Sequence, residues 1–221
     1  MLAKDLVSDV IPSLRTSDTG ARALGWMEIF RISHLPIVNN KEFLGLISDT
    51  DIYDMGKMDE PIGNHKLSLF SPFVYEDKHI YEIIEIASRL KLTVVPVLDE
   101  NKNYLGLIGQ NELLGQFAKL AAVSEPGGII VLEMHYHDYS LSQISQIVES
   151  NNANVLSLYI TNDQDSTRMD VTIKVTSTDL TSIIKTFERY NYHVKASFMD
   201  EQNLGSFYKT RYEEFIRYLD V

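Results

Sequence analysis

The sequence predicts a two-part chain of 221 residues: an α/β half made of a tandem repeat, then an α+β half of βαββαβ order. Three observations carry this. The stretch Leu35-Pro36-Ile37-Val38 … Phe43-Leu44-Gly45-Leu46-Ile47 returns as Val95-Pro96-Val97-Leu98 … Tyr104-Leu105-Gly106-Leu107-Ile108, with 60 residues between Pro36 and Pro96. Glu125-Pro126-Gly127-Gly128 then interrupts the pattern with helix breakers. Beyond that break, strand and helix periodicities follow each other in a new order.

In the first copy, Asp18 or Thr19 is placed to cap a helix whose apolar positions are Leu24, Met27 and Phe30. In the second, Asp77 precedes a fuller stripe of Ile80, Ile83, Ile84, Ala87 and Leu90. Each helix is followed by two short β-branched strands around a polar hairpin, Asn39–Glu42 in one copy and Asp99–Asn103 in the other. The second hairpin holds one more residue, so Pro36 lies 9 before Gly45 whereas Pro96 lies 10 before Gly106. Closing helices are expected to start near Asp49 and Asn111. Two strands cannot shield a sheet alone, so the copies should pack together about a pseudo-two-fold axis.

Composition bounds the function. At 44% hydrophobic the chain suits a folded globule, and runs such as Ile129-Ile130-Val131-Leu132 fall far short of the ~18 apolar residues of a membrane span. Met1-Leu2-Ala3-Lys4-Asp5 lacks the regions of a signal peptide, so a cytoplasmic location is expected. The absence of cysteine excludes disulfides, thiolate metal sites and cysteine nucleophiles. A formal charge of −11 opposes binding to a nucleic-acid backbone. No P-loop, dinucleotide glycine fingerprint, nucleophile elbow or HExxH element occurs, so the expectation is a protein that is no enzyme and carries no cofactor or metal.

The chemistry of Gly45-Leu46-Ile47-Ser48-Asp49-Thr50-Asp51 has two readings. Ser48 at a helix amino terminus offers a hydroxyl beside free N–H groups that favour a phosphate, and Asp51 one turn later is suited to accept from ribose hydroxyls. Equally, Ser48 is an ordinary N-cap and Asp51 an ordinary first-turn acid. The second copy has Gly109 and Glu112 at these positions, which removes the hydroxyl and moves the carboxylate.

The apolar-Pro-apolar strand, the hairpin and the Gly-x-x-Ser-x-x-Asp helix start resemble a CBS motif, and two in tandem resemble a CBS pair, or Bateman module. The resemblance covers about 1–123, with motif one about 1–60 and motif two about 61–123. It implies a ligand of the AMP, ATP or S-adenosylmethionine class between the motifs. Carried onto these positions, the competent nucleotide cleft combines Ser48 and Asp51 with Phe70, Pro72, Leu92, Thr93 and Val94, the base lying between Leu92 and Val94. A weaker second cleft combines Gly109 and Glu112 with Val10, Pro12, Ile32, Ser33 and His34. Arg31, Arg89 and Lys91 are the cations near the strand starts.

In the second half, 129–136 reads as a strand, 141–149 as a helix, 155–161 and 170–175 as strands across the turn 162–166, Asp179 as the cap of a helix through Ile183, Ile184, Phe187 and Tyr190, and 194–198 as a last strand. This βαββαβ order is the ferredoxin-like split arrangement. Attached to a regulatory module, residues 127–200 resemble an ACT domain, with Asn154-Val155-Leu156-Ser157-Leu158 supporting the match. The family's glycine loop is missing at Asp138-Tyr139-Ser140-Leu141, which argues against an amino-acid site. Glu133, His135 and His137 alternate onto one strand face and are read as solvated rather than as metal ligands. Residues 201–221 are expected to form a helix with a stripe of Phe207, Tyr208, Tyr212, Phe215, Ile216 and Leu219.

The whole chain resembles acetoin-utilisation-type CBS–ACT proteins. The expected function is a non-catalytic sensor of an adenosyl nucleotide, homodimeric through its CBS module and acting on a downstream protein. The alternatives are a ligand-free oligomerisation or docking scaffold and an amino-acid sensor working through the ACT-like domain.

Overall fold

The computed structural model describes residues 1–65, 71–162 and 167–199. The chain divides into two compact units, Met1–Gln116 and Phe117–Val221.

In the first unit, α1 (Gly20–Phe30) is capped by Thr19, whose hydroxyl accepts from the Arg22 amide, while Asp18 pairs with the Arg22 guanidinium at 2.9 Å. β1 (His34–Asn39) and β2 (Glu42–Ser48) form an antiparallel hairpin with a bulge at Ile37/Val38. α2 (Asp49–Met55) follows at once. The second copy repeats this as α3 (Ile80–Leu90), β4 (Val94–Leu98), β5 (Tyr104–Gly109) and α4 (Gln110–Leu120), with its bulge at Val97/Leu98. α4 ends at Leu120, three residues short of the 123 bound expected for motif two, and α3 is capped by His79 in a box with Glu82, two residues after Asp77. The contact there is long-range: Ile80 N–H donates to the Met1 carbonyl at 3.2 Å, so the amino-terminal segment holds the first turn of α3 beyond Asp77.

The copies share backbone detail that side chains do not reveal. Arg31 and Lys91, both at φ +53°, end α1 and α3 in the left-handed conformation. Gly45 and Gly106 both sit at φ +151°. At Gly106 a Cβ would meet Val7 Cγ1 at 2.5 Å, so a bare backbone is required there. Each copy also has a parallel partner missed by hydrophobic periodicity, because the segments are too short to show one. Leu14 bridges Ile37, and 60 residues on Val74 of β3 (Val74–Tyr75) pairs with Val97 of β4.

The amino-terminal segment crosses to the other copy. Ala3 and Leu6 are buried in the core of motif two, and Ser8 exchanges hydrogen bonds with Leu107 of β5 at 2.9 and 3.4 Å. Reciprocally, Ser71 donates to the Leu44 carbonyl of β2 at 3.2 Å. At the centre of the pair Phe43 and Tyr104, equivalent residues, stack at 6.3 Å, and Tyr104 N–H donates to the Lys41 carbonyl at 2.7 Å. Burial pushes the Tyr104 phenol well above its ordinary range.

The second unit contains β6 (Gly128–His135), α5 (Leu141–Glu149), β7 (Val155–Asn162), β8 (Arg168–Val175), α6 (Thr181–Arg189) and β9 (His193–Phe198). The sheet order is β7-β8-β6-β9, all antiparallel, which is the ferredoxin-like topology. Ile130, Leu132, Val171, Ile173, Ile144, Ile183 and Phe187 fill its core. Asp179 accepts from the Thr181 amide at 2.9 Å, at the start of α6. Tyr190, expected on the apolar stripe, caps the helix end and is half exposed, because α6 stops at Arg189. The expected carboxy-terminal helix and most of the 162–166 turn lie outside the described residues. Among the described residues no helix is long and apolar enough to cross a membrane.

Candidate functional site

Ser48 and Asp51 come together, and they bond to each other. Ser48 caps α2: its hydroxyl accepts from the Asp51 amide at 3.1 Å, while Asp51 Oδ2 receives the Ser48 amide at 2.8 Å and the Ser48 hydroxyl at 2.7 Å. This capping box engages the Ser48 hydroxyl and Asp51 Oδ2 with each other at an exposed helix start. Ser48→Ala removes the cap and is expected to cost about 1 kcal/mol, read from the denaturant midpoint.

His34 joins them, since it lies opposite Ser48 in the β1–β2 register. Its Nδ1 is 3.1 Å from Thr93 Oγ1 and receives the Thr93 amide at 3.4 Å. The Thr93 hydroxyl in turn accepts from the Ser33 amide at 3.0 Å. Burial lowers the His34 pKa, against the opposing pull of Asp49 and Asp51. Leu92 and Val94 are 4% and 0% exposed and belong to the apolar core of motif two. A base lying between them therefore requires repacking. Pro72 is buried and Phe70 lies outside the described residues.

The other cleft is open. A cavity of about 320 Å³ is lined by Ser8, Val10, Ile11, Phe30, Arg31, Ile32, Thr93, Leu107, Gly109, Gln110, Asn111 and Glu112. It unites the amino-terminal segment, the end of α1, and the β5–α4 junction, so both motifs and the crossing segment contribute walls. Val10, Ile32, Gly109 and Glu112 of the expected weaker cleft share this cavity; Ser33 and His34 reach it through Thr93, and Pro12 lies two residues beyond Val10, half-buried. Arg31, Phe30, Ile11 and Ser8 are wall residues that sequence reasoning did not assign here. The sequence carried no signal for them, because the left-handed turn that closes α1 at Arg31, and α3 at Lys91, falls on residues that do not announce it. Glu112 stands in the first turn of α4, its Oε1 receiving Gln116 Nε2 at 2.6 Å. Gly109 leaves the helix start uncovered: a Cβ there would be 3.8 Å from Ile11 Cδ1, in ordinary contact. The cleft thus presents apolar walls, one carboxylate and one guanidinium. Of the other cations, Arg89 is engaged by Glu85 at 2.7 Å, and Lys91 is exposed at the end of α3.

In the second unit, Glu133 is held by Arg168 at 2.6 Å, and the His135 and His137 rings stack at 5.5 Å. Glu133, His135, Asp138 and Arg168 line one cavity of about 710 Å³ and His137 Nε2 lies 3.5 Å from Asp138, but among the described residues no group of three or more His, Asp or Glu is placed to hold a metal ion.

The CBS domain family model matches the chain twice, over residues 3–56 and 69–119. The amino-terminal half of this chain is therefore a tandem pair of CBS domains. Among solved structures, a CBS domain pair/ACT domain protein from Thermotoga maritima is 23% identical over 53% of this chain and 96% of its own, with a TM-score of 0.47. CBSX2 in complex with AMP is 14% identical over 52% of this chain and 95% of its own, at 0.45. A CBS domain pair crystallised with 5-methylthioadenosine and S-adenosyl-L-methionine is 21% identical over 53% and 99%, at 0.43.

Proposed function

We propose that this chain is a non-catalytic regulatory protein whose CBS pair binds an adenosine-containing ligand of the AMP, ATP or S-adenosylmethionine class and passes its bound state to the ACT-like half. The observation that carries this is the open cleft lined by both motifs. Its volume of about 320 Å³ stands at the small end of ligand pockets, which run from about 300 to 1,000 Å³. Val10, Ile11, Ile32 and Leu107 suit a base, Glu112 suits the ribose hydroxyls, and Arg31 suits a single anionic group. The Ser48–Asp51 half-site takes a ligand only when its capping box opens. Ligand held by both motifs favours one arrangement of the pair, a population shift that the second half reads. A homodimer through the CBS module is supported by Tyr53 of α2 and Leu114 of α4, equivalent positions that are 60% and 67% exposed.

A second reading, a docking scaffold without ligand, is favoured by the closed Ser48–Asp51 box. Calorimetry of the wild type, Glu112→Ala and Asp51→Ala with AMP, ATP and S-adenosylmethionine separates them. Saturable binding weakened roughly tenfold to a hundredfold by Glu112→Ala, the loss of charged hydrogen bonds, supports the open cleft. The same loss in Asp51→Ala alone assigns the ligand to the other cleft. No wild-type binding at millimolar ligand overturns the sensor and leaves the scaffold.

A further inference from the structure

We propose that the His34–Thr93 contact is a proton-operated latch between the two CBS motifs, closed while His34 is neutral and opened when it is protonated. Both partners stand where the motifs meet: His34 begins β1 of motif one, and Thr93 immediately precedes β4 of motif two. The hydrogen bonds fix the direction of the protons. Thr93 Oγ1 accepts from the Ser33 amide at 3.0 Å and stands 3.1 Å from His34 Nδ1, a pair in which either atom can donate. The Thr93 amide is aimed at the same nitrogen at 3.4 Å. Nδ1 is therefore an acceptor, and the neutral ring carries its hydrogen on Nε2.

Protonation places a hydrogen on Nδ1 as well. The hydroxyl of Thr93 can rotate to accept it; the amide cannot, because the backbone fixes it as a donor. Two donors then face each other across the junction.

The surroundings set the pH range. Burial disfavours the charged ring, and the carboxylates Asp49 and Asp51 of α2 work in the opposite direction, burial being the larger effect. From the β4 side the ring meets Thr93, which is uncharged. A histidine whose folded pKa lies below its unfolded value of about 6.5 binds fewer protons folded than unfolded. The stability from the neutral latch is present above pH ~6.5 and is lost as pH falls through the unfolded pKa toward the folded one.

The device is single. The equivalent of His34 in motif two is Val94, which is fully buried in the core and cannot titrate. Thr93 also lines the open cleft, so an opened latch moves one of its walls. That last link alone rests on the proposed ligand function; the latch does not.

The test uses the full chain without ligand. His34 is titrated by NMR, and the protection factors of the Ser33 and Thr93 amides are measured at pH 7.5 and 5.5. The expected result is an imidazole titrating below its ordinary 6.5 and a fall in protection at both amides between pH 7.5 and pH 5.5. In His34→Val, which installs the residue of the other copy, that fall should vanish. Thr93→Val, which keeps the histidine and the opposing backbone amide but removes the hydroxyl that can turn to accept from the charged ring, should push the His34 pKa further down, because the charged form loses an acceptor and polar surroundings. An imidazole titrating at or above 6.5 in the wild type, or a His34 titration unmoved by Thr93→Val, overturns the latch. Failure of adenosyl binding leaves each of these readings intact.

Discussion

Replacing Gly127 by alanine is expected to unfold the ferredoxin-like unit well below the temperature at which the CBS pair unfolds. Gly127 has φ +143°, and a Cβ there would stand 1.9 Å from the Val175 carbonyl oxygen and 3.0 Å from its carbon. The obstacle is backbone, so no rotamer change relieves it. The neighbouring backbone is anchored too: Gly128 pairs with Val175 across β6 and β8, and its amide donates to the Ser177 carbonyl at 2.8 Å. Relief requires breaking the start of β6, which lies in the middle of the sheet order. Strain of this kind costs about 1–3 kcal/mol by conformation alone, and the collision adds to it. A domain stabilised by about 5–15 kcal/mol loses a large share. The chain's single tryptophan, Trp26, sits in α1, so its fluorescence reports the CBS pair, whereas far-ultraviolet dichroism reports both units. The dichroism transition of the second unit should fall by at least about 10 °C. An unchanged dichroism midpoint would show that β6 can start elsewhere.

The second large effect tests whether the two motifs behave as one body. Ile47 in β2 and Ile108 in β5 are equivalent and fully buried, yet they belong to different core clusters. Either isoleucine cut back to alanine should cost about 2–5 kcal/mol, the lost transfer energy plus the cavity left behind. Trp26 packs against the Ile47 cluster only. If the crossed amino-terminal segment, the Phe43–Tyr104 stack and the His34–Thr93 contact bind the motifs into one cooperative unit, urea unfolding followed by Trp26 should register both variants alike. A midpoint shifted by Ile47→Ala and left in place by Ile108→Ala would mean the motifs unfold separately.

Much of this architecture was legible because the repeat reads twice. Hydrophobic alternation locates β1, β2, β4 and β5, and the extra residue in the second hairpin accounts for the offset between Gly45 and Gly106 without disturbing either bulge. The βαββαβ order of the second half was legible for the same reason, since each element is long enough to display its period. What escaped were segments that pair through only one or two residues, Leu14 with Ile37 and Ser8 with Leu107. Hydrophobic pattern carries no signal for such short bridges. The site was legible by residue type but not by state. Ser48 and Asp51 have the chemistry to hold a nucleotide, but the same chemistry lets them satisfy each other, and only the 2.7 and 2.8 Å distances reveal that they do. The open cleft lies where the motif lacks the serine, because Gly109 leaves room at the helix start and no side chain there can close a box.

The stacked pair Phe43 and Tyr104 marks a line along which each residue meets its own counterpart, as do Ser33 and Thr93 at the other end of the strands. In an assembly of two identical chains, any group placed on such a line arrives in duplicate. An imidazole would then face a second imidazole, and acid would charge both at once, adding mutual repulsion to the loss of contact. Fusing the halves into one polypeptide frees the line from that duplication. His34 can be matched with a valine sixty residues later, so a single proton suffices to alter the junction and the response is graded by one group.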